Sequence, residues 1–339
     1  MAEIGLNKIF LFPKKFNKLL EVNKNNFDFS YPISVELSLT NKCNFNCIWC
    51  SDYHLRDRLG GEFKKEVLFK LFEELDRGGT KGICVEGGGE PTLYPNFRET
   101  IQKINKLGMA IGLITNGSIL NYADMIDLFE WIRISLDVSN AKQMKKLKGV
   151  ICFNKIIENI KKILSKRKKT VVGIGYVLST LNMDGLENII KKTKAMGVDY
   201  FHIRPVIDSP KIMLPLNTDL NYLKKFESDK FKVLIDAINE NKIRGNAGLP
   251  CVAHSATATI TADGSVYICG RLNIYDWWKE LGNLNKNSFK KIWLGSERIK
   301  QTKQLLNRNF CQKYCPECRI TKFNILINDL KKTKTKNFI

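Results

Sequence analysis

The sequence contains no apolar run approaching the roughly 18 residues that a membrane-spanning helix needs. This excludes a membrane-spanning helix. A secretory leader is also lacking. The opening MAEIGLNKIFLFPKKF has only a short apolar stretch, flanked by lysines and without a small-residue cleavage site. These two absences make a cytoplasmic location the expectation. Acidic residues are few beside basic ones, 34 against 55, leaving a formal charge of +21. No RNA- or DNA-binding motif accompanies that charge. The excess is mostly lysine, spread over helix faces such as Lys161-Lys162 and Lys191-Lys192 and over the tail KKTKTK. It reads as a solvated surface. No solenoid-type internal repeat is present.

Cysteine, by contrast, is plentiful, with ten residues. A reducing compartment argues against a disulfide framework, and most of the ten fall in spaced clusters, the pattern of metal binding. Lone Cys84 and Cys152 read as small buried residues. At 339 residues the chain has room for one large α/β domain and a smaller one.

Apolar periodicity predicts strands over 33–39, 82–86, 110–114, 131–136, 170–178 and 200–206. Helical spacing predicts helices over 64–75, 97–107, 122–129, 154–166 and 184–196. Strict βα alternation implies a parallel sheet, and six units suit a partial (β/α)6 TIM-like barrel rather than a closed eight-stranded one. Reactive groups then gather at the carboxyl ends of the strands. The predicted organisation is an extension over 1–30, the barrel core over 31–215, a helical linker over 216–244 (helix about 219–241), a small cysteine-rich domain over 245–325 and a basic tail over 326–339.

Cys43, Cys47 and Cys50 form C-x3-C-x2-C directly after the first strand. Three thiolates from one loop can grip three corners of a cubane and leave the fourth iron without a protein ligand. Clusters that only transfer electrons are normally closed by four cysteines, whereas catalytic metal sites keep a position open. Zinc prefers four ligands, usually as C-x2-C pairs, and suits this triplet poorly.

The triplet, with aromatic Trp49 before its last cysteine, resembles the radical S-adenosylmethionine (SAM) superfamily over about residues 30–210. The resemblance implies a [4Fe–4S] cluster on the three cysteines, with SAM chelating the open iron and cleaved reductively to a 5′-deoxyadenosyl radical. Further segments match it at consecutive strand ends. Gly88-Gly89-Glu90 looks like the family's segment for the methionine amino group, and Asn116 lies in the third-strand motif. Ser135 and Asp137 resemble the polar pair near the SAM ribose or carboxylate. Arg204 resembles the sixth-strand residue beside adenine and substrate, and Trp49 is expected to pack over the cluster loop or adenine. His202, near Arg204, is the candidate catalytic histidine; His54 and His254 stand isolated.

Cys251, Cys269, Cys315 and Cys318, with Cys311 as an alternative ligand, resemble the twitch form of the SPASM auxiliary domain. Asp263-Gly264 would turn the hairpin that delivers Cys269. This implies a second [4Fe–4S] cluster, with a zinc ribbon on the same thiolates as the alternative. The implied partners are an external electron donor of flavodoxin or ferredoxin type and a substrate, with no membrane. With only about 30 residues before the first strand, a winged-helix peptide-recognition domain does not fit there. The first expectation is therefore a small molecule such as a sugar, aminocyclitol or nucleotide, dehydrogenated or epimerised. A ribosomal peptide or a tRNA is the alternative.

Overall fold

The computed structural model describes residues 6–23, 25–27, 30–53, 56, 61–206, 211–215, 218–236, 249–315 and 320–333. Its centre is one ten-stranded sheet. Strands β1 (Ser34–Leu37), β2 (Gly82–Val85), β3 (Ala110–Thr115), β4 (Trp131–Ser135), β5 (Val171–Leu178) and β6 (Tyr200–Pro205) lie side by side in sequence order, all parallel. Helices α2 (Lys65–Arg77), α3 (Phe97–Lys106), α5 (Phe153–Lys166) and α6 (Leu186–Met196) intervene. This is the expected partial (β/α)6 barrel.

Strand alternation divides the sheet chemically. One face carries Ile83, Val85, Ile111, Leu113, Ile132, Ile134, Val172, Ile174, Phe201 and Ile203, all buried. Against it pack the apolar stripes of the helices, among them Leu68, Leu71 and Phe72 of α2 and Ile156, Ile160 and Ile163 of α5. Burial of such side chains contributes roughly 1.5–3 kcal/mol each before entropy is subtracted. The opposite register places Cys84, Arg133, Ser135, Gly173, Gly175, Tyr200, His202 and Arg204 together on the inner face.

Three segments differ from the sequence reading. Residues 122–129 form turns and one 3₁₀ turn (Ile126–Leu128) rather than an α-helix. Asp127 there accepts hydrogen bonds from the amides of Lys168 and Lys169 and the hydroxyl of Thr170, pinning the segment to the entry of β5. An unanticipated helix α4 (Ala141–Lys148) is capped by Asn140, whose Oδ1 accepts from the Gln143 amide, and ends at Gly149 with φ 72°. The helix expected over 219–241 is replaced, as far as residue 236, by a 3₁₀ turn (Asn221–Phe226) and a seventh parallel strand β7 (Lys232–Ile235) beside β6. A short apolar run such as Lys232-Val233-Leu234-Ile235 suits either structure, and the open edge of β6 decides for a strand. Residues 237–241 lie outside the described residues.

At the other edge, β8 (Thr257–Ile260) pairs parallel with β1, Ser34 opposite Thr257. Then β9 (Ser265–Tyr267) and β10 (Gly282–Asn283) extend the sheet antiparallel. The Asp263-Gly264 turn joins β8 and β9 as expected, with Gly264 at φ 86°. The carboxy-terminal helices α7 (Phe289–Trp293), α8 (Ser296–Leu305), α9 (Arg308–Tyr314) and α10 (Thr321–Lys332) follow. A small second core joins Phe16 and Leu19 of α1 (Pro13–Glu21) to Val252, Leu306 and Ile327. The amino-terminal segment thus packs with the carboxy-terminal region. Among the described residues, no helix is long and apolar enough to cross a membrane.

Candidate active site

Two neighbouring strand ends and one helix hold the cysteine loop after β1. From the end of β2, the amides of Gly89 and Glu90 donate to the carbonyls of Thr40 (2.8 Å) and Lys42 (2.8 Å). A Cβ on Gly89 would lie 1.9 Å from the Lys42 carbonyl oxygen, and one on Gly88 (φ 64°) 2.4 Å from the Asn41 side chain. The glycines are therefore required by the cysteine loop's own backbone. From the end of β3, Asn116 Nδ2 donates to Asn44 Oδ1 (2.8 Å), and Asn44 Nδ2 donates to Ser118 Oγ (2.9 Å). From α4, the carbonyls of Lys148 and Leu147 accept from the amides of Asn46 and Ile48.

Cys43, Cys47 and Cys50 lie close enough for each to act on the ionisation of Cys47, whose thiol burial pushes up to about 11. Burial raises Cys43 and Cys50 as well. Arg56 binds the same loop from inside: Nη2 donates to Cys50 Sγ (2.9 Å), Nη1 to the Phe45 carbonyl and Nε to the Gly88 carbonyl. Desolvated thiols beside fixed cations are poor free acids and good metal ligands, because metal binding supplies the deprotonation that burial opposes. The donor set fits three corners of an iron–sulfur cubane. Trp49, within this loop, is half-buried against the core.

The two carboxylates expected to meet SAM make hydrogen bonds within the protein. Glu90 Oε1 accepts from the amide and hydroxyl of Thr92 and from Thr115 Oγ1 (2.6 Å), and Oε2 accepts from the Asn116 amide (2.7 Å). It clamps the end of β2 to that of β3. Asp137, at φ 52°, accepts from the Val177 amide through Oδ1 and from Lys148 Nζ through Oδ2, each at 2.7 Å. Lys148 spends its remaining protons on the carbonyls of Ser135 and Leu136. Burial works against the Lys148 ammonium, but Asp137 and the sulfurs of Cys47 and Cys43 outweigh it and hold its pKa up. A buried cation therefore stands beside the cysteine loop.

The second cysteine group also converges. Cys311 is fully buried, and its thiol shares a hydrogen bond with Cys315. That bond pulls Cys311 down and drives Cys315 upward, with burial and the charges of Cys311, Cys251 and Cys269 acting in the same direction on Cys315. Asn324 Nδ2 donates to Cys251 Sγ, and the Arg271 amide to Cys269 Sγ, each at 3.4 Å. Cys318 lies outside the described residues. Among the described residues, no three Cys, His, Asp or Glu side chains gather tightly enough to hold a single metal ion.

Comparison with known proteins gives this geometry its meaning. The sequence profile of the radical SAM superfamily matches residues 37–193, and that of the SPASM iron–sulfur cluster-binding domain matches residues 251–319. The chain carries a radical SAM domain followed by a SPASM domain. It is a radical SAM enzyme. It is 24% identical over 328 residues to the tungsten-containing aldehyde ferredoxin oxidoreductase cofactor-modifying protein of Pyrococcus furiosus, covering 84% of this chain and 86% of that one. It is 26% identical over 178 residues to a probable GTP 3′,8-cyclase of Saccharolobus islandicus. That match covers 50% of this chain and 55% of the cyclase, so the two share about half their lengths. Its fold is similar to that of Streptococcus suis SuiB bound to precursor peptide SuiA, with a TM-score of 0.63 at 16% identity, over 84% of this chain and 68% of SuiB.

Within the radical SAM barrel, a polar chain crosses the inner face from β4 to the end of β7. Arg133 Nη1 lies 3.4 Å from His202 Nδ1, and His202 Nε2 lies 2.9 Å from Asp236 Oδ1. Arginine can only donate, so Nδ1 accepts and the Nε2 proton points at Asp236. Burial pushes the His202 pKa down, which keeps the ring neutral. Arg204 lies on the same face. The sequence reading missed Arg56, Lys148, Arg133 and Asp236. Arg133 carried a signal, being a charged residue between Ile132 and Ile134 in a strand covered on both sides.

Proposed function

We propose that this enzyme abstracts a hydrogen atom from a peptide substrate held in the barrel. The first expectation from the sequence was a small molecule; the peptide reading now takes precedence. The observation that carries it is the fold shared with SuiB in its precursor-peptide complex. The GTP 3′,8-cyclase match supports a nucleotide as the second reading.

Bound at Cys43, Cys47 and Cys50, a [4Fe–4S] cluster would supply the electron that cleaves SAM to a carbon-centred radical. The chain's own residues prepare that step. The loop fixes three thiolates, while Arg56 and Lys148 keep positive charge beside them. SAM would be held along the strand ends by Gly88, Gly89, Asn116 and Ser135, with Trp49 adjacent and Arg204 facing the substrate. Glu90 and Asp137 serve as positioning residues that set the spacing of those strand ends. The barrel excludes water and orients the C–H bond. Cys251, Cys269, Cys315 and Cys318, with Cys311 as the alternative ligand, would hold an auxiliary cluster able to accept an electron from the substrate. The external reductant is of flavodoxin or ferredoxin type, and His202, held between Arg133 and Asp236, faces the substrate through its ring.

The test is deuterium transfer. Reconstituted, reduced enzyme is incubated with SAM and either deuterated peptides or deuterated nucleotides, and 5′-deoxyadenosine is analysed by mass. Label from the peptides alone supports the proposal; label from the nucleotides alone replaces it with the second reading.

A further inference from the structure

Gly173 and Gly175 alternate with Val172, Ile174 and Tyr176 along β5, so both glycines fall on the barrel's inner face. A Cβ at Gly175 would meet the Arg133 side chain at 3.3 Å, and one at Gly173 would overlap the Tyr200 ring at 2.1 Å. Glycine at these positions therefore leaves room on the inner face for longer side chains of the neighbouring strands, Arg133 of β4 beside Gly175 and Tyr200 of β6 beside Gly173. Arg133 and Arg204 stand on the same face, on the strands either side of β5. Each has a buried Nε–H without a hydrogen-bond partner, and Arg204 makes no hydrogen bond or ion pair among the described residues. Of the carboxylates whose charge acts on Arg204, Asp236 is bonded to His202 and Asp137 to Lys148, while Glu86 acts through its charge. The two guanidiniums repel each other, and the repulsion adds to the burial that lowers the Arg204 pKa to about 10. A buried donor without a partner costs free energy that an arriving acceptor recovers, and guanidinium matches the paired oxygens of carboxylate and phosphate.

We propose that Arg133 and Arg204 form an anion-binding site inside the barrel that recognises a carboxylate or phosphate group of the substrate. The relay from Asp236 through neutral His202 fixes Arg133, whereas Arg204 waits with its donors uncommitted. The site deepens the reading of the barrel as the substrate chamber and rests on it.

The full reconstituted chain is titrated calorimetrically with inorganic phosphate and, separately, with glutarate. Arg133→Gln and Arg204→Gln are each expected to weaken binding about tenfold to a hundredfold, as loss of one charge-assisted contact does, and Arg204→Lys to recover part of it. Binding of phosphate alone points to a phosphorylated substrate, glutarate alone to a carboxylate-bearing one, and either supports the proposal. Because Arg204 has no hydrogen-bond partner among the described residues, Arg204→Met should melt no lower than wild type without ligand and lose the phosphate-dependent rise in Tm. Binding unchanged in both glutamine variants, or absent from wild type, overturns the proposal. Displacement of phosphate by SAM also overturns it by assigning the arginines to the cofactor. Formation of 5′-deoxyadenosine by wild type, measured on the same preparation, tests the parent reading separately.

Discussion

Cys43, Cys47 and Cys50 share one loop, while Cys251, Cys269, Cys311 and Cys315 are brought together from the end of a hairpin, one helix and their connections. The first group is held from outside by backbone contacts with neighbouring strand ends. The second is held from within: Cys311 is part of the main core, with Cys251 and Cys269 packed at the same end. The first arrangement can be lost while the fold survives, because few core side chains depend on it. In the second, ligand geometry and local folding are one property.

The sharpest way to break this contrast is Gly89→Ala. Its methyl group would overlap the Lys42 carbonyl, so the cysteine loop must move. Expected are loss of SAM cleavage and of the iron at the first site, with carboxy-terminal iron retained; parallel iron and 5′-deoxyadenosine assays check this. Retained cleavage would show that the loop tolerates displacement.

Lys148→Met tests the buried ion pair. Removing one partner leaves Asp137 buried and uncompensated, an expected loss of about 3–5 kcal/mol in stability, measured by denaturant unfolding. The added variant Asp137→Asn should recover part of it.

Acid should act first on the carboxy-terminal half. His254 is buried with neither ring nitrogen hydrogen-bonded, and burial, then the Arg298 charge, pushes its pKa down to about 3. That lies below the unfolded value of about 6.5, so the native state favours the neutral ring. Its contribution is complete above that value and is lost as pH falls toward 3. Tm should fall by several degrees between pH 7 and 4, and His254→Gln should flatten the slope. The smallest effect belongs to Asn116→Ala, which removes one strut of the cysteine loop at about 1–2 kcal/mol, read as a modest fall in Tm with weaker iron retention.

Legibility in the sequence followed the same division. The triplet and Gly88-Gly89 were readable because ligands and turn requirements sit within a few residues, and β1 to β6 were readable from apolar alternation. Lys148 was hidden in the lysine-rich run Lys145-Lys146-Leu147-Lys148, where nothing local separates a buried lysine from its solvated neighbours. Glu90 was recognised, but the direction of its carboxylate depends on Thr115 and Asn116, far along the chain. The seventh strand was missed because its pairing with β6 is tertiary information.

The parallel pairing of β8 with β1 imposes an order on synthesis. β1 carries the cysteine loop at its end, yet its outer edge finds its partner only when residues 257–260 have been made. Until then the growing chain presents an unpaired strand edge, the kind of surface that recruits other chains. The contact joining first strand to eighth also bridges a long sequence separation, which slows folding. A ribosome stalled before residue 257 would therefore hold a barrel whose first cysteine loop is already complete, on a sheet still open at that edge.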